Sequence, residues 1–310
     1  MPYAKNSSKN RTVVVGTFAH VIRAYLTSPK FDSLSENTRR SYLRPLRRAE
    51  DHLGAIKATD MRPALVQGFL DGYEGLPAAQ KCARGAFKAL EAWAIVRDML
   101  PQHITTGTEL TGKHGGHKPW TERQVELALQ HATPVMAQMI ALAAGTGQRG
   151  SDLVKMRWSD VEMVDGHLGI NVIQRKTGLE VWVPFNHDLA AIIATWEKRP
   201  GFLVVKENGR PFERTHLTDR WIHERERNPA LAPLLEAGCN LHGLRGTACV
   251  RLLRAGANSR QIADCVGMSE EMVQRYTRFS EQRKNALAAI HILNRTTPER
   301  ARNVLGSNKA

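Results

Sequence analysis

From about residue 17 to residue 100, apolar side chains recur every three or four positions and nowhere alternate, a spacing that predicts an almost wholly helical amino-terminal region. Ser35-Glu36-Asn37-Thr38 reads as a helix start and Gly54 as its stop, with Pro45 between them predicting a kink. A further helix is expected from about Ala78 to Met99, with Phe87, Leu90 and Ala94 on one stripe and Arg84 and Lys88 on another. The periodicity stops at Pro101. Residues 101–119, PQHITTGTELTGKHGGHKP, are rich in Gly, Thr, His and Lys and read as a basic interdomain linker, in which His114 and His117 are solvated rather than metal-bound.

Beyond the linker, Thr121 is expected to cap a helix, and Pro134 to open another running through Met139, Ile140 and Leu142 to a break at Gly145-Thr146-Gly147. A short helix should carry Arg149 to Arg157. The period then changes. His167 to Gln174 and Glu180 to Pro184 have strand-like content and are joined by a turn at Lys176-Thr177-Gly178, a hairpin that Phe202 to Val205 would extend. Helices are expected to resume at 187–198, 214–227, 242–255, 258–266, 269–278 and 282–294. The fold class is therefore mainly α: a helical first domain, then a mixed, mostly helical domain with a small antiparallel β-sheet. The boundaries are a flexible segment over 1–16, a helical domain over 17–100, the linker over 101–119, the second domain over 120–280 and a helical tail over 281–310.

With 310 residues the chain suffices for two cores, and 42% apolar and 24% charged residues exclude disordered and collagen-like classes. A formal charge of +14 changes the picture more, because it attracts a polyanion over a wide surface. Eighteen basic against 10 acidic side chains lie in residues 1–118, and 26 against 20 in residues 119–310, so both halves suit one nucleic acid held between them. Arg39, Arg40, Arg44 and Arg47 on the Ser35–Gly54 helix, with Arg84 and Lys88, are the candidate DNA contacts. No apolar run reaches membrane-span length and no secretory leader is evident, so a bacterial cytosolic or nucleoid location is expected. Cys82, Cys239, Cys249 and Cys265 form no CxxC pair, and Cys239 with His242 supplies only two ligands, so neither disulfides nor a metal site is expected.

Five side chains stand where the expected structure exposes them: Arg149 after a glycine-rich break, Lys176 at a hairpin tip, His242 and Arg245 three apart on one helix, and Tyr276. Singly, each also reads as a surface or core residue. Together, in the segments GTGQRGSDLVKMRWSDV, QRKTGLEVWVPF, LHGLRGTA and VGMSEEMVQRYTR, they resemble the tyrosine recombinase (phage integrase) family of site-specific DNA recombinases, over about residues 119–290. The 17–100 region, with TRRSYLRPL, is similar to that family's core-binding domain.

The resemblance implies a metal- and ATP-independent strand transferase with no cofactor. Arg149 and Arg245 would neutralise charge on the phosphorane, His242 would assist Tyr276 as nucleophile, and Lys176 would protonate the leaving 5′ oxygen. Asp152 would orient the cations. Met268 stands where the family usually has His or Trp and cannot donate a hydrogen bond to phosphate. The implied partners are double-stranded DNA with inverted-repeat sites, three further copies of the chain in a tetramer, and an accessory DNA-bending or directionality protein. Leu287, Ile290 and Leu293 form a stripe suited to linking the copies, or to packing on their own domain. A phage or mobile-element integrase is the first expectation. The 16 residues before the first helix are too few for an added arm-binding domain, so a chromosome-dimer or plasmid resolvase remains open. A monomeric topoisomerase and a non-catalytic DNA-binding regulator remain open as well.

Overall fold

A computed structural model describes residues 13–112 and 116–296, in two compact units, Met1–Gly115 and Gly116–Ala310. In the first, short-range signals fix the helix starts. Side chains of Thr17, Ser28 and Ser35 cap α1 (Phe18–Leu26), α2 (Pro29–Asp32) and α3 (Glu36–Leu53), and prolines open α2, α4 (Pro63–Asp71) and α5 (Pro77–Ile95). Phe18, Ile22, Tyr25, Leu46, Leu70, Phe87 and Leu90 fill the core of this unit. Helix α3 runs unbroken through Pro45. The Ser41 carbonyl, deprived of the N–H that Pro45 lacks, accepts the Cys82 thiol of α5 at 3.4 Å.

The segment expected as a linker is not free. Leu100 and Ile104 are buried, and the buried Glu91 carboxylate accepts the N–H groups of Ile104 and Thr105 at 2.7 and 2.8 Å and the Thr105 hydroxyl at 2.5 Å. Farther on, Glu109 donates to Gln67 and Thr111 to Gln80. Residues 101–111 are thus strapped to the first unit by hydrogen bonds, which leave no apolar periodicity to read. His114 lies outside the described residues, as do 1–12 of the expected flexible segment and 297–310 of the expected tail.

In the second unit a capping box between Thr121 and Gln124 starts α6 (Glu122–His131), and Pro134 starts α7 (Pro134–Thr146). Helix α7 buries Met136, Met139, Ile140, Leu142 and Ala143, apolar on nearly every side as a central helix must be. After α8 (Gly150–Leu153), β1 (Val161–Val164), β2 (His167–Ile173) and β3 (Glu180–Pro184) form an antiparallel sheet in that order, with Val161 opposite Ile170 and Asn171 opposite Trp182. Phe202–Val205 does not extend the hairpin. Phe202 and Val205 make only isolated bridges, to Arg157 and Pro211, and the third strand is the upstream β1. That strand is mostly exposed and so shows no alternation.

Among the described residues six α-helices complete the unit: α9 (His187–Ala194), α10 (Arg214–Arg227), α11 (Ala232–Glu236), α12 (Gly243–Arg254), α13 (Ser259–Val266) and α14 (Glu270–Thr296). The helices expected at 269–278 and 282–294 are one. Among the described residues no helix is long and apolar enough to cross a membrane.

Candidate active site

Helix ends converge on one guanidinium. Helices α7 and α13 both stop at a left-handed glycine, Gly147 (φ 64°) and Gly267 (φ 63°), and each turns its carbonyl toward Arg245 in the first turn of α12. Arg245 Nη1 donates to the Gly147 oxygen at 2.5 Å and Nη2 to the Gly267 oxygen at 3.0 Å. Neither glycine is replaceable without movement: a Cβ on Gly147 would stand 2.7 Å from Val266 Cγ1, and one on Gly267 2.4 Å from Gln174 Nε2. Arg245 is 3% exposed and, among the described residues, forms no ion pair with a carboxylate. Burial, with the Arg149 charge, lowers its pKa to about 10, so it stays cationic at neutral pH. Three of its five N–H groups are left to other acceptors.

Tyr276, in the second turn of α14, lies against α12, with its hydroxyl 3.2 Å from His242 Nε2. Gly246 permits that approach, since a Cβ there would meet the phenol ring at 2.8 Å and Pro119 at 2.9 Å. Burial raises the Tyr276 pKa, against the opposing pull of Arg245 and Arg149. His242 moves the other way. Burial, reinforced by His117, Arg245, Arg149 and Arg214, takes its pKa from 6.5 down to about 4. At neutral pH a neutral imidazole therefore faces a protonated phenol, a pair able to pass a proton when the phenol attacks.

Arg149 precedes α8, half-buried, and its Nη1 donates to Gln174 Oε1 at 2.8 Å. The structure thus gathers Arg149 and His242, which precede α8 and α12, with Arg245 on α12 and Tyr276 on α14. The sequence of residues 120–283, which contains all four, matches the family model described as the phage integrase family. The chain belongs to the phage integrase family.

Similar folds occur in a lambda integrase(75-356) dimer bound to a COC′ core site (TM-score 0.70, 20% identity, covering 84% of this chain and 95% of that one). They occur also in a lambda integrase tetramer bound to a Holliday junction (0.68, 19%, 84% and 77%) and in the Tn1549 transposon integrase with circular intermediate DNA (0.66, 18%, 84% and 94%). No curated protein sequence matches.

Other expected residues of this phage integrase family member fall differently. Lys176 is exposed on the β2–β3 turn and makes no hydrogen bond or ion pair among the described residues. Asp152, 3% exposed, makes no hydrogen bond to Arg149 or Arg245. Its Oδ1 instead accepts the Arg175 N–H at 3.1 Å, beside Lys176, while the buried Oδ2 has no hydrogen-bond partner. Met268 turns its sulfur to Cys249 Sγ at 3.9 Å and packs in the small core that also touches Tyr276. In the first unit, Arg39, Arg40 and Arg47 already pair with Asp32, Glu36 and Glu50, at 3.8, 2.5 and 3.8 Å. Arg44 and Lys88 are exposed without an acidic partner among the described residues, and the Arg84 Nε is buried without a hydrogen bond.

Three residues escaped the sequence reading. His117, expected as a solvated linker residue, sets its ring edge-on to His242 at 4.7 Å between centroids. Arg214, first residue of α10, acts on the same imidazole. Gln174 bonds Arg149. Gln174 and Arg214 stand at the ends of expected elements and His117 in the expected linker, where no motif marks them.

The His242 shift has a sign that can be measured. Between pH 6.5 and about 4 the unfolded chain binds a proton here that the folded chain does not, so this group lowers stability as pH falls through that window. His242→Gln is expected to flatten that part of the stability profile, read from denaturant midpoints at stepped pH. An unchanged slope would contradict the half-buried, neutral imidazole.

Proposed function

We propose that this phage integrase family member is a site-specific DNA recombinase of a phage or integrative mobile element that cuts and rejoins strands through a 3′-phosphotyrosyl intermediate. One observation carries the reading: the Tyr276 hydroxyl hydrogen-bonds His242 beside a buried guanidinium that no carboxylate neutralises among the described residues. The Tyr276 oxygen bonds to phosphorus and the bond from phosphorus to the 5′ oxygen breaks. The phenol proton passes to His242, and Lys176, swung in on its turn, gives a proton to the departing oxygen. Arg149 and Arg245 hold the non-bridging oxygens as charge builds on them. One phosphoester replaces another, so the bond is conserved for rejoining, with no step that calls on ATP or a metal.

The test is incubation with nicked duplexes spanning candidate attachment sites, from which the short strand beyond the nick diffuses away once cut. A denaturation-resistant adduct on the 3′ phosphate, mapped to the peptide holding Tyr276, is expected. DNA binding without any adduct would favour a non-catalytic regulator, and adducts at unrelated sequences a topoisomerase.

Four copies on two duplexes are part of the same reading, as are inverted-repeat sites gripped through α3 of the first unit. Leu287, Ile290 and Leu293 stand 62%, 52% and 55% exposed along the end of α14, an apolar stripe among basic residues that suits a neighbouring copy. Deleting residues 282–310 is expected to spare DNA binding and abolish tetramers on DNA in sedimentation. Tetramers that persist after the deletion would remove the linking role.

A further inference from the structure

Gln174 is wholly buried two residues before Lys176, and both polar atoms of its side chain are engaged twice. Its Oε1 accepts from Arg149 Nη1 at 2.8 Å and from the Thr177 hydroxyl at 3.2 Å. Its Nε2 donates to Gln148 Oε1 at 2.9 Å and to the Val266 carbonyl at 3.1 Å. The backbone of the same residue closes the turn: its N–H donates to Leu179, and its carbonyl accepts from Thr177 at 3.2 Å and Gly178 at 2.8 Å. Gln148, adjoining Arg149 in sequence, donates back to the Val266 carbonyl at 3.0 Å. One amide therefore ties together the start of α8, the lysine turn and the end of α13.

We propose that Gln174 is a positioning residue that couples Arg149 to Lys176. A single oxygen atom orients the guanidinium and, through Thr177, the turn on which the lysine rides. The choice of an amide has a physical reason. A carboxylate here would orient Arg149 equally well, but would cancel the positive charge meant for phosphate and would set an acceptor against Gln148 Oε1 and the Val266 carbonyl. A neutral acceptor fixes the fork and leaves its charge intact. Gly267 completes the device, since any side chain there would displace the amide. Charge neutralisation at phosphorus and proton delivery to the leaving oxygen are thereby set in one geometry.

This inference rests on the phosphotyrosyl reading, and the experiment separates the two. Wild type, Lys176→Ala, Gln174→Met and Thr177→Val are compared in single-turnover cleavage of two nicked duplexes of one sequence, with bridging 5′ oxygen or bridging 5′ sulfur at the cut. A thiolate leaves without a proton, so sulfur rescues what a misplaced lysine loses and nothing that a misplaced Arg149 loses. Gln174→Met is expected to lose on the order of 100-fold on oxygen and to recover part of it on sulfur. Thr177→Val, an exposed change that removes the donor to Oε1 and a long 3.4 Å acceptor for the Leu179 N–H within the same turn, is expected to lose on the order of 10-fold on oxygen and to recover fully on sulfur. It decides the matter if Gln174→Met does not fold. Equal losses on both substrates, or no loss, overturn the coupling. Failure of wild type to form an adduct on either substrate, or of sulfur to rescue Lys176→Ala, strikes the reaction reading instead.

Discussion

Tyr276→Phe is expected to bind DNA with unchanged affinity, to fold as the wild type does, and to form no covalent adduct on any substrate. The ring's packing survives the change, because its close contacts are with Gly246 on α12 and with the small core of Cys249, Ile262, Val266 and Val273. Only the hydroxyl is lost, and its one hydrogen bond among the described residues, to His242 Nε2, costs about 1 kcal/mol of stability. The phosphate-holding groups are untouched, so affinity should not move, whereas the atom that would bond to phosphorus is gone. Water in its place would release a 3′ phosphate without a trapped protein, a distinct product on a denaturing gel. Fluorescence titration against a target duplex, a melting curve and the adduct gel report the three outcomes together. An adduct that persists in the variant would assign the nucleophile elsewhere and end the proposal.

Where order along the chain is repetitive, it was legible. The Thr121 cap, the start at Pro134 and the apolar stripe through Phe87, Leu90 and Ala94 are short-range or periodic features, and helix α10 occupies its expected span, 214–227. The two αL glycines could be read as breaks, but not as carbonyls aimed at one arginine, because that meeting joins residues 98 and 22 positions apart. The long α14 was divided in two because its residues beyond Thr277 are largely exposed and leave no buried stripe. The strap over 101–111 was hidden for the opposite reason: Glu91, Gln67 and Gln80 hold it through backbone groups that every residue carries. Gln174 and Asp152 belong to the same class. A buried polar residue reads in the sequence like an exposed one, and only its partners reveal it.

Arg245→Lys should do more damage than its conservative chemistry suggests. The guanidinium reaches two carbonyls from two nitrogens and keeps three further N–H groups, whereas an ammonium is a single point that cannot span the Gly147 and Gly267 oxygens. At least one buried carbonyl would lose its donor, at about 1–3 kcal/mol, visible as a lower denaturant midpoint. Cleavage is expected to fall by roughly 10²–10³-fold beyond that, as when one preorganised donor to a developing oxyanion is removed. These two effects have separable origins. Both helix ends direct partial negative charge at residue 245, which compensates a buried cation without neutralising it, and the surplus is what a phosphate would meet. Arg149→Lys, at a half-buried position whose side chain makes one hydrogen bond among the described residues, to an amide, should therefore spare stability while slowing cleavage comparably. Full activity in a folded Arg245→Lys protein would show that the fork does not face phosphorus, and would reduce Arg245 to a bracket between two helix ends.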